Sequence, residues 1–384
     1  MWAPAFTLAL VVGASALSLA ACSPTPPEDS PTPIPSPAPT GDVFTTEDGV
    51  RFSVEVVASN LQIPWSLAFA PDGRLFVTER PGRVRIFNLQ AGTSELALTL
   101  DDAFTQGEAG VLGLTLDPEF ASNGFVYVYY TARAGGGAVN RVVRHREVAG
   151  RLGEPAVLLD GIPANAIHDG GRLRFGPDGL LYVTTGDAAN ASLAQDLGSV
   201  AGKILRVNRD GTTPGDNPFT SPVYTYGHRN PQGLDWHPAG GSLWAAEHGN
   251  SGNDEVNVIE AGVNYGWPRI EGSQSMPGMR TPVVFYSPAV APSGASFYRG
   301  SRFPAFVNNL FVATLRGTHI LRLRIDPGSS RVAAQERLLN DRYGRIRDVV
   351  AGPDGLLYFC TSNRDGRGSP VSADDRIARL VPAP

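Results

Sequence analysis

The chain has 384 residues and a formal net charge of −5, and arginine carries its basic charge: lysine occurs once, at Lys203. An acidic balance without a basic stripe excludes nucleic acid as the expected partner, and a single lysine is a poor basis for covalent catalysis through an amine. Two cysteines exclude a disulfide-dense scaffold, and the length exceeds one ordinary small domain unless the chain is a repeat architecture or a barrel.

Ala5 to Ala21 is an apolar run ending Leu19-Ala20-Ala21-Cys22. It is too short for a comfortable membrane span and suits a secretory leader. Small residues directly before a cysteine look like a bacterial lipoprotein cleavage site. Residues 1–21 therefore read as a lipoprotein signal peptide and Cys22 as the lipidated residue, although Met1-Trp2-Ala3-Pro4 lacks the usual basic start. Ser23 to Thr40 alternates proline with serine, threonine and alanine and cannot bury a core. Residues 22–42 read as a polyproline-like tether, with a merely disordered tail as the alternative. Together these segments predict a domain, 43–384, at a bacterial cell envelope. It would face the periplasm or exterior and touch membrane only through its lipid anchor. If Cys22 is acylated, Cys360 is left to pack as a small apolar strand residue.

From about Val43 the chain repeats one pattern: strand, Pro-Asp-Gly-like turn, strand. The copies run Leu67 to Thr78, Leu114 to Val128, Leu173 to Thr185, Leu234 to Ala245, Phe303 to Thr314 and Val349 to Phe359, the fifth being the most divergent. Arginine-rich alternating strands such as Arg83-Val84-Arg85-Ile86-Phe87 often follow. One such hairpin cannot bury both of its faces alone. Stacking six in a ring does so and leaves only short edges. The prediction is an all-β fold, a six-bladed β-propeller of four-stranded antiparallel blades. A β-sandwich would not need six copies of one hairpin. Ring closure is expected between the strand near Arg51 to Val57 and the strand near Arg376 to Val381.

The third hairpin carries the first chemical signal. His168 precedes it and Asp187 follows it. The entry and exit of an antiparallel hairpin lie side by side at one end of a sheet. An imidazole oriented by a carboxylate is a plausible general base. The alternative is a rim histidine that only bonds a loop. Four further segments flank hairpins at the same rim: Tyr226 to Gly233, Glu247 to Glu255, Leu315 to His319 and Tyr343 to Asp348. They would bring Arg229, Arg316, Arg345 and Arg347 toward one cavity. Converging guanidiniums repel unless an anion compensates them. The planar fork of arginine suits carboxylates, so the expected ligand is a small polyanion with planar carboxylates. Glu247 to Glu255 is rich in glycine and carboxylate, which suits a hard cation but equally a polar turn.

From Leu61 to Pro382 the chain resembles the soluble quinoprotein sugar dehydrogenases, the glucose/sorbosone and aldose dehydrogenase family. The strongest matches are His168 to Asp187, Tyr224 to Gly233, Glu247 to Pro268 with its Asn264-Tyr265-Gly266-Trp267-Pro268, and Arg345 to Gly355. The resemblance implies a six-bladed propeller, pyrroloquinoline quinone (PQQ) and calcium (Ca2+). By position, His168 matches the family's catalytic base and Asp187 its supporting carboxylate. Arg229 and Asn230 match residues contacting PQQ and the reacting centre. Arg316 matches a PQQ contact that is lysine in some members, and Arg345 and Arg347 match the pair gripping PQQ carboxylates. Glu108 falls where relatives have Gln or Glu near the cofactor. Gly249 and Asn250 match two backbone carbonyls on the PQQ-bound calcium, Asn250 standing where relatives usually have proline. Glu255 and Tyr265 match a second, structural calcium site.

The implied reaction oxidises a small sugar substrate at C1 to a lactone, with hydride passing to PQQ and electrons to an external acceptor. Ile167 stands where glucose-oxidising members have a carboxylate, and their long pocket-shaping insertions are absent. A broader aldose specificity is expected. A calcium-dependent sugar lactonase and a non-catalytic sugar-binding propeller remain as alternatives.

Overall fold

The computed structural model describes residues 1–2, 31–34, 38–39, 41–326 and 328–384. Cys22, residues 3–21 of the expected leader and most of the expected tether lie outside these residues. Of the tether, Thr32–Pro33 pairs antiparallel with Ser94 and Thr93, and Ala38–Pro39 pairs with Val56 and Glu55.

The chain from 43 onward forms six antiparallel sheets, the blades. Their innermost strands are Pro64–Phe69, Val111–Leu116, Leu173–Phe175, Pro231–Trp236, Pro292–Phe297 and Ile346–Ala351. Each innermost strand packs against the next, and the last packs against the first, which closes the ring. The second strands, such as Leu75–Glu79, Leu181–Thr185 and Leu357–Thr361, are buried along their whole length because neighbouring blades cover both faces. That double burial is why these segments read as near-continuous apolar runs in the sequence. Closure occurs as predicted: Arg51–Ala58, from the start of the domain, adds the outer strand of blade 6 by pairing Val54 with Leu380 and Ala58 with Ile377.

The Pro-Asp-Gly turns mark one rim of the ring. Their aspartates are wired alike. In blade 3 Asp178 accepts Leu180 N–H at 3.1 Å and the Tyr182 hydroxyl at 3.0 Å. In blade 6 Asp354 accepts Leu356 N–H at 3.1 Å and the Tyr358 hydroxyl at 2.8 Å. The recurring Asp thus fastens each turn to the strand that follows it. Blade 5 departs from the expected hairpin. Its first strand is Pro292–Phe297, and Phe303-Pro304 lies in a long connection containing the short 3-10 turn Pro304–Phe306. Cys360 is fully buried in the core between blades 6 and 1.

The central channel is plugged by side chains of the innermost strands and their entry loops. Arg172 donates to Asp348 Oδ2 at 3.0 Å, to Ser66 Oγ at 3.1 Å and to Gln232 O at 2.8 Å, and it lies 4.4 Å from the Trp65 ring centre. Four blades meet in this one contact.

Candidate active site

The loops opposite the Pro-Asp-Gly turns enter each innermost strand and leave each second strand. The loop into blade 3 carries His168, which sits at φ 65°, a left-handed backbone position that only surrounding contacts sustain. Those contacts are present. The His168 carbonyl accepts Ala188 N–H at 3.2 Å, Gly170 N–H reaches Asn230 Oδ1 at 3.0 Å, and His168 N–H reaches Glu108 Oε2 at 3.2 Å. Gly186 must be glycine for this approach, since a Cβ there would fall 1.9 Å from the His168 carbonyl oxygen.

His168 Nδ1 lies 2.7 Å from Asp187 Oδ1, as the hairpin geometry predicted. Asp187 is itself held: Ala189 N–H reaches Oδ1 and the Trp267 indole N–H reaches Oδ2, both at 2.9 Å. A carboxylate so placed keeps the proton on Nδ1 and leaves Nε2 as the basic nitrogen. The His168 side chain keeps 13% exposure against 3% for Asp187, so the base is reachable and its partner is not.

Beside this pair lies a cavity of about 300 Å³, walled by Arg80, Glu108, Gln232, His248, Arg316, Arg345, Arg347, Asp365 and Arg367 among others. Of the predicted residues, Glu108, Arg316, Arg345 and Arg347 line it. His168, Asp187, Arg229 and Asn230 form an adjoining group. Glu108 links the two groups through the His168 N–H, and so does Arg229, whose Nη1 stands 3.5 Å from the His248 carbonyl oxygen. Asn230 is completely buried with its Nδ2 unpartnered, and Arg229 Nε is likewise buried without a partner.

Five guanidiniums in this wall face two carboxylates, Glu108 and Asp365. Asp365 Oδ2 serves Arg345 at 2.8 Å and Arg347 at 3.4 Å. Glu108 Oε1 serves Arg367 at 2.5 Å. Burial pushes the Arg347 guanidinium down to about 10, and the nearby Arg345 and Arg80 add to that push. Burial likewise lowers Arg229 and Arg80. Burial also pushes His248 down to about 4, so it adds no charge to the wall at pH 7 and becomes cationic only in acid, where Glu108 titrates. Glu108 resists its own burial because His248 and Arg367 hold it down to about 2. The wall is therefore a preformed anion site.

The metal expectations fall on two places. Gly249 N–H donates to Asp254 Oδ1 at 2.9 Å, and Asp254 Oδ2 accepts Val290 and Ala291 N–H at 2.6 Å, which ties the Gly249-Asn250 loop to blade 5. Among the described residues no group of three or more His, Cys, Asp or Glu side chains is arranged to cage a metal. A cation at the cavity would depend on main-chain oxygens and on the ligand. Glu255 is buried beside Glu247, and both effects push its carboxyl up to about 8, a strain that a cation would relieve. The Tyr265 hydroxyl is taken up by Val258 O at 2.7 Å and Glu260 N–H at 2.9 Å, which leaves its main-chain oxygen as the group free for a metal role.

Arg80, Gln232, His248, Asp365 and Arg367 were not assigned from sequence. The signal was available for several of them. Arg80 and His248 each follow the second strand of a blade within two residues, the position that Asp187 and Arg316 also occupy.

The glucose/sorbosone dehydrogenase family model matches residues 61–371. The aldose sugar dehydrogenase of Escherichia coli is 32% identical over 83% of this chain and 92% of its own length. A solved structure of an oxidoreductase from Thermus thermophilus, described as a glucose dehydrogenase, is 46% identical with a TM-score of 0.79, covering 86% of this chain and all of that one. The PQQ-bound aldose sugar dehydrogenase of Streptomyces coelicolor is 37% identical with a TM-score of 0.79, covering 90% and 99%.

Proposed function

The chain belongs to the glucose/sorbosone dehydrogenase family of quinoprotein oxidoreductases, and from that premise we propose that it oxidises aldoses at C1 to lactones, with PQQ in the arginine-walled cavity and electrons passed to an external acceptor. The observation that carries this reading is the charge imbalance of the cavity beside the His168–Asp187 pair. PQQ is a planar tricarboxylate, and a wall of five guanidiniums against two carboxylates fits it.

When bound, the quinone supplies an acceptor for hydride. The protein's part is to bind, orient and move a proton. Arg345 and Arg347, fixed by Asp365, would hold carboxylates, with Arg316 at the exposed side of the cavity. Gly249 and Asn250 would offer main-chain oxygens to calcium, and Glu255 would belong to a second calcium site. His168 Nε2 would take the proton of the sugar's anomeric hydroxyl, and Asp187 would stabilise the resulting imidazolium through Nδ1–H. Arg229 and Asn230, buried with unpartnered nitrogens, would steady the reacting oxygens. Ile167 in place of a carboxylate makes the sugar pocket less selective, so we expect broad aldose specificity. We also propose that Cys22 is acylated and tethers the enzyme at the cell envelope.

The test adds PQQ and Ca2+ to purified apoprotein and screens aldoses for dye reduction. Sugar-dependent reduction that requires PQQ is the expected result. Lactone hydrolysis without PQQ would replace this reading with that of a lactonase.

A further inference from the structure

Arg80 follows the second strand of blade 1, Leu75–Glu79. Its main chain is fixed on both sides: its N–H donates to Ile63 O at 3.1 Å, and its carbonyl accepts Val111 N–H at 2.9 Å. Gly110 lies against its stem, where a Cβ would fall 2.3 Å from Arg80 O and 2.6 Å from Arg80 Cγ. The stem direction is thereby set, and the side chain forms part of the cavity wall at 8% exposure.

The guanidinium of Arg80 makes no hydrogen bond and no ion pair among the described residues. Asp365 and Glu108 attract it from a distance, while Arg345 and Arg367 repel it. Neither carboxylate is free. Asp365 is shared by Arg345 and Arg347, and Glu108 is occupied by Arg367 and by His168 N–H. A buried charge without a counterion weakens a fold, and such breaches of local consistency concentrate at functional sites.

Building on the reading of the cavity as a PQQ site, we propose that Arg80 is a further cofactor-binding residue, which takes a carboxylate of the planar quinone other than the one held by Arg345 and Arg347. The same geometry makes two demands. Removing Arg80 weakens the ligand, and it relieves the unliganded protein of an uncompensated charge. A purely structural arginine would do the reverse of the second.

The experiment uses purified apoprotein of the wild type, Arg80→Met and Arg80→Lys, each titrated with PQQ by fluorescence and each melted without PQQ. Loss of one charge-assisted hydrogen-bond partner predicts roughly ten- to hundredfold weaker PQQ binding by Arg80→Met. Its unliganded melting point should equal or exceed that of the wild type. Arg80→Lys keeps the charge without the fork and should fall between the two in affinity. PQQ binding by Arg80→Met at wild-type affinity overturns the role of Arg80 and leaves the cofactor reading intact. A lowered unliganded melting point, or failure of Arg80→Met to fold, makes Arg80 structural and also overturns it. A wild type that does not bind PQQ overturns both.

Discussion

Two buried arginines of this molecule have opposite surroundings. Arg322, on the third strand of blade 5, is satisfied on every side. Its Nε donates to Asn309 Oδ1 at 2.7 Å, its Nη1 to Asp48 and Glu336 at 2.8 and 2.7 Å, and its Nη2 to Asp48 and Ala305 O at 2.8 and 2.7 Å. Phe306 lies 4.6 Å from its guanidinium carbon. Burial works against that charge, but Asp48 and Glu336 outweigh it and raise the Arg322 pKa. Arg347, in the cavity, donates to the neutral oxygens Gln232 Oε1 at 3.1 Å and Ser362 Oγ at 3.5 Å, but its one carboxylate, Asp365 at 3.4 Å, is shared with Arg345, and it is pushed down to about 10; what it lacks is charge compensation. The same side chain is a completed joint in one place and an open valence in the other. Carboxylate count, not burial, separates them, and it marks which arginine belongs to the fold and which awaits a ligand.

The largest expected effect tests whether the cavity binds and the histidine reacts. His168→Gln should lower turnover by about 10²–10⁴-fold while PQQ titrates normally. Stopped-flow reduction by an aldose, run beside a PQQ titration, measures both. Near wild-type reduction would make His168 a mere rim histidine.

Arg322→Met strands Asp48 and Glu336 and should cost about 3–5 kcal/mol in urea unfolding. PQQ affinity should not change. If affinity fell with stability, the distinction between joint and open valence would fail.

Arg347→Ala should act mainly on the ligand. It should weaken PQQ binding roughly ten- to hundredfold and cost less in unfolding than Arg322→Met.

The smallest effect is a pH limb. Glu108 has a folded pKa of about 2, below its ordinary value of 4.5, so its contribution to stability is present above pH 4.5 and fades as pH falls toward 2. Glu108→Gln should flatten that part of a melting-point profile against pH. An unchanged acid limb would remove Glu108 as a charged link between Arg367 and the His168 loop.

The blades were legible because turn chemistry and doubly buried strands leave local marks: Pro177-Asp178-Gly179 and Pro353-Asp354-Gly355 announce their hairpins outright. Blade 5 was misplaced because its first strand, Pro292–Phe297, carries a proline, a glycine and two serines where its counterparts are more apolar, and because its connection is long. The His168–Asp187 pair was legible from one hairpin's geometry, and its contact distance agrees with that reading. Arg80 and Arg367 were not: the partner of Arg367 lies on another blade, and Arg80 has none among the described residues. Glu108 and Arg367 are 259 positions apart. No local pattern reports a charge whose counterion is missing. That shows only when every neighbour has been placed.

The strand Arg51–Ala58, paired into blade 6 beside Ile377–Pro382, has a temporal meaning as well as a spatial one. The ring cannot shut until the last residues of the domain exist, and such non-local pairing forms late. Arg80 comes from the first blade, and Arg345, Arg347 and Asp365 from the last. The two ends of the wall meet only across that seam. The wall of the cavity therefore comes into being only with the closed ring.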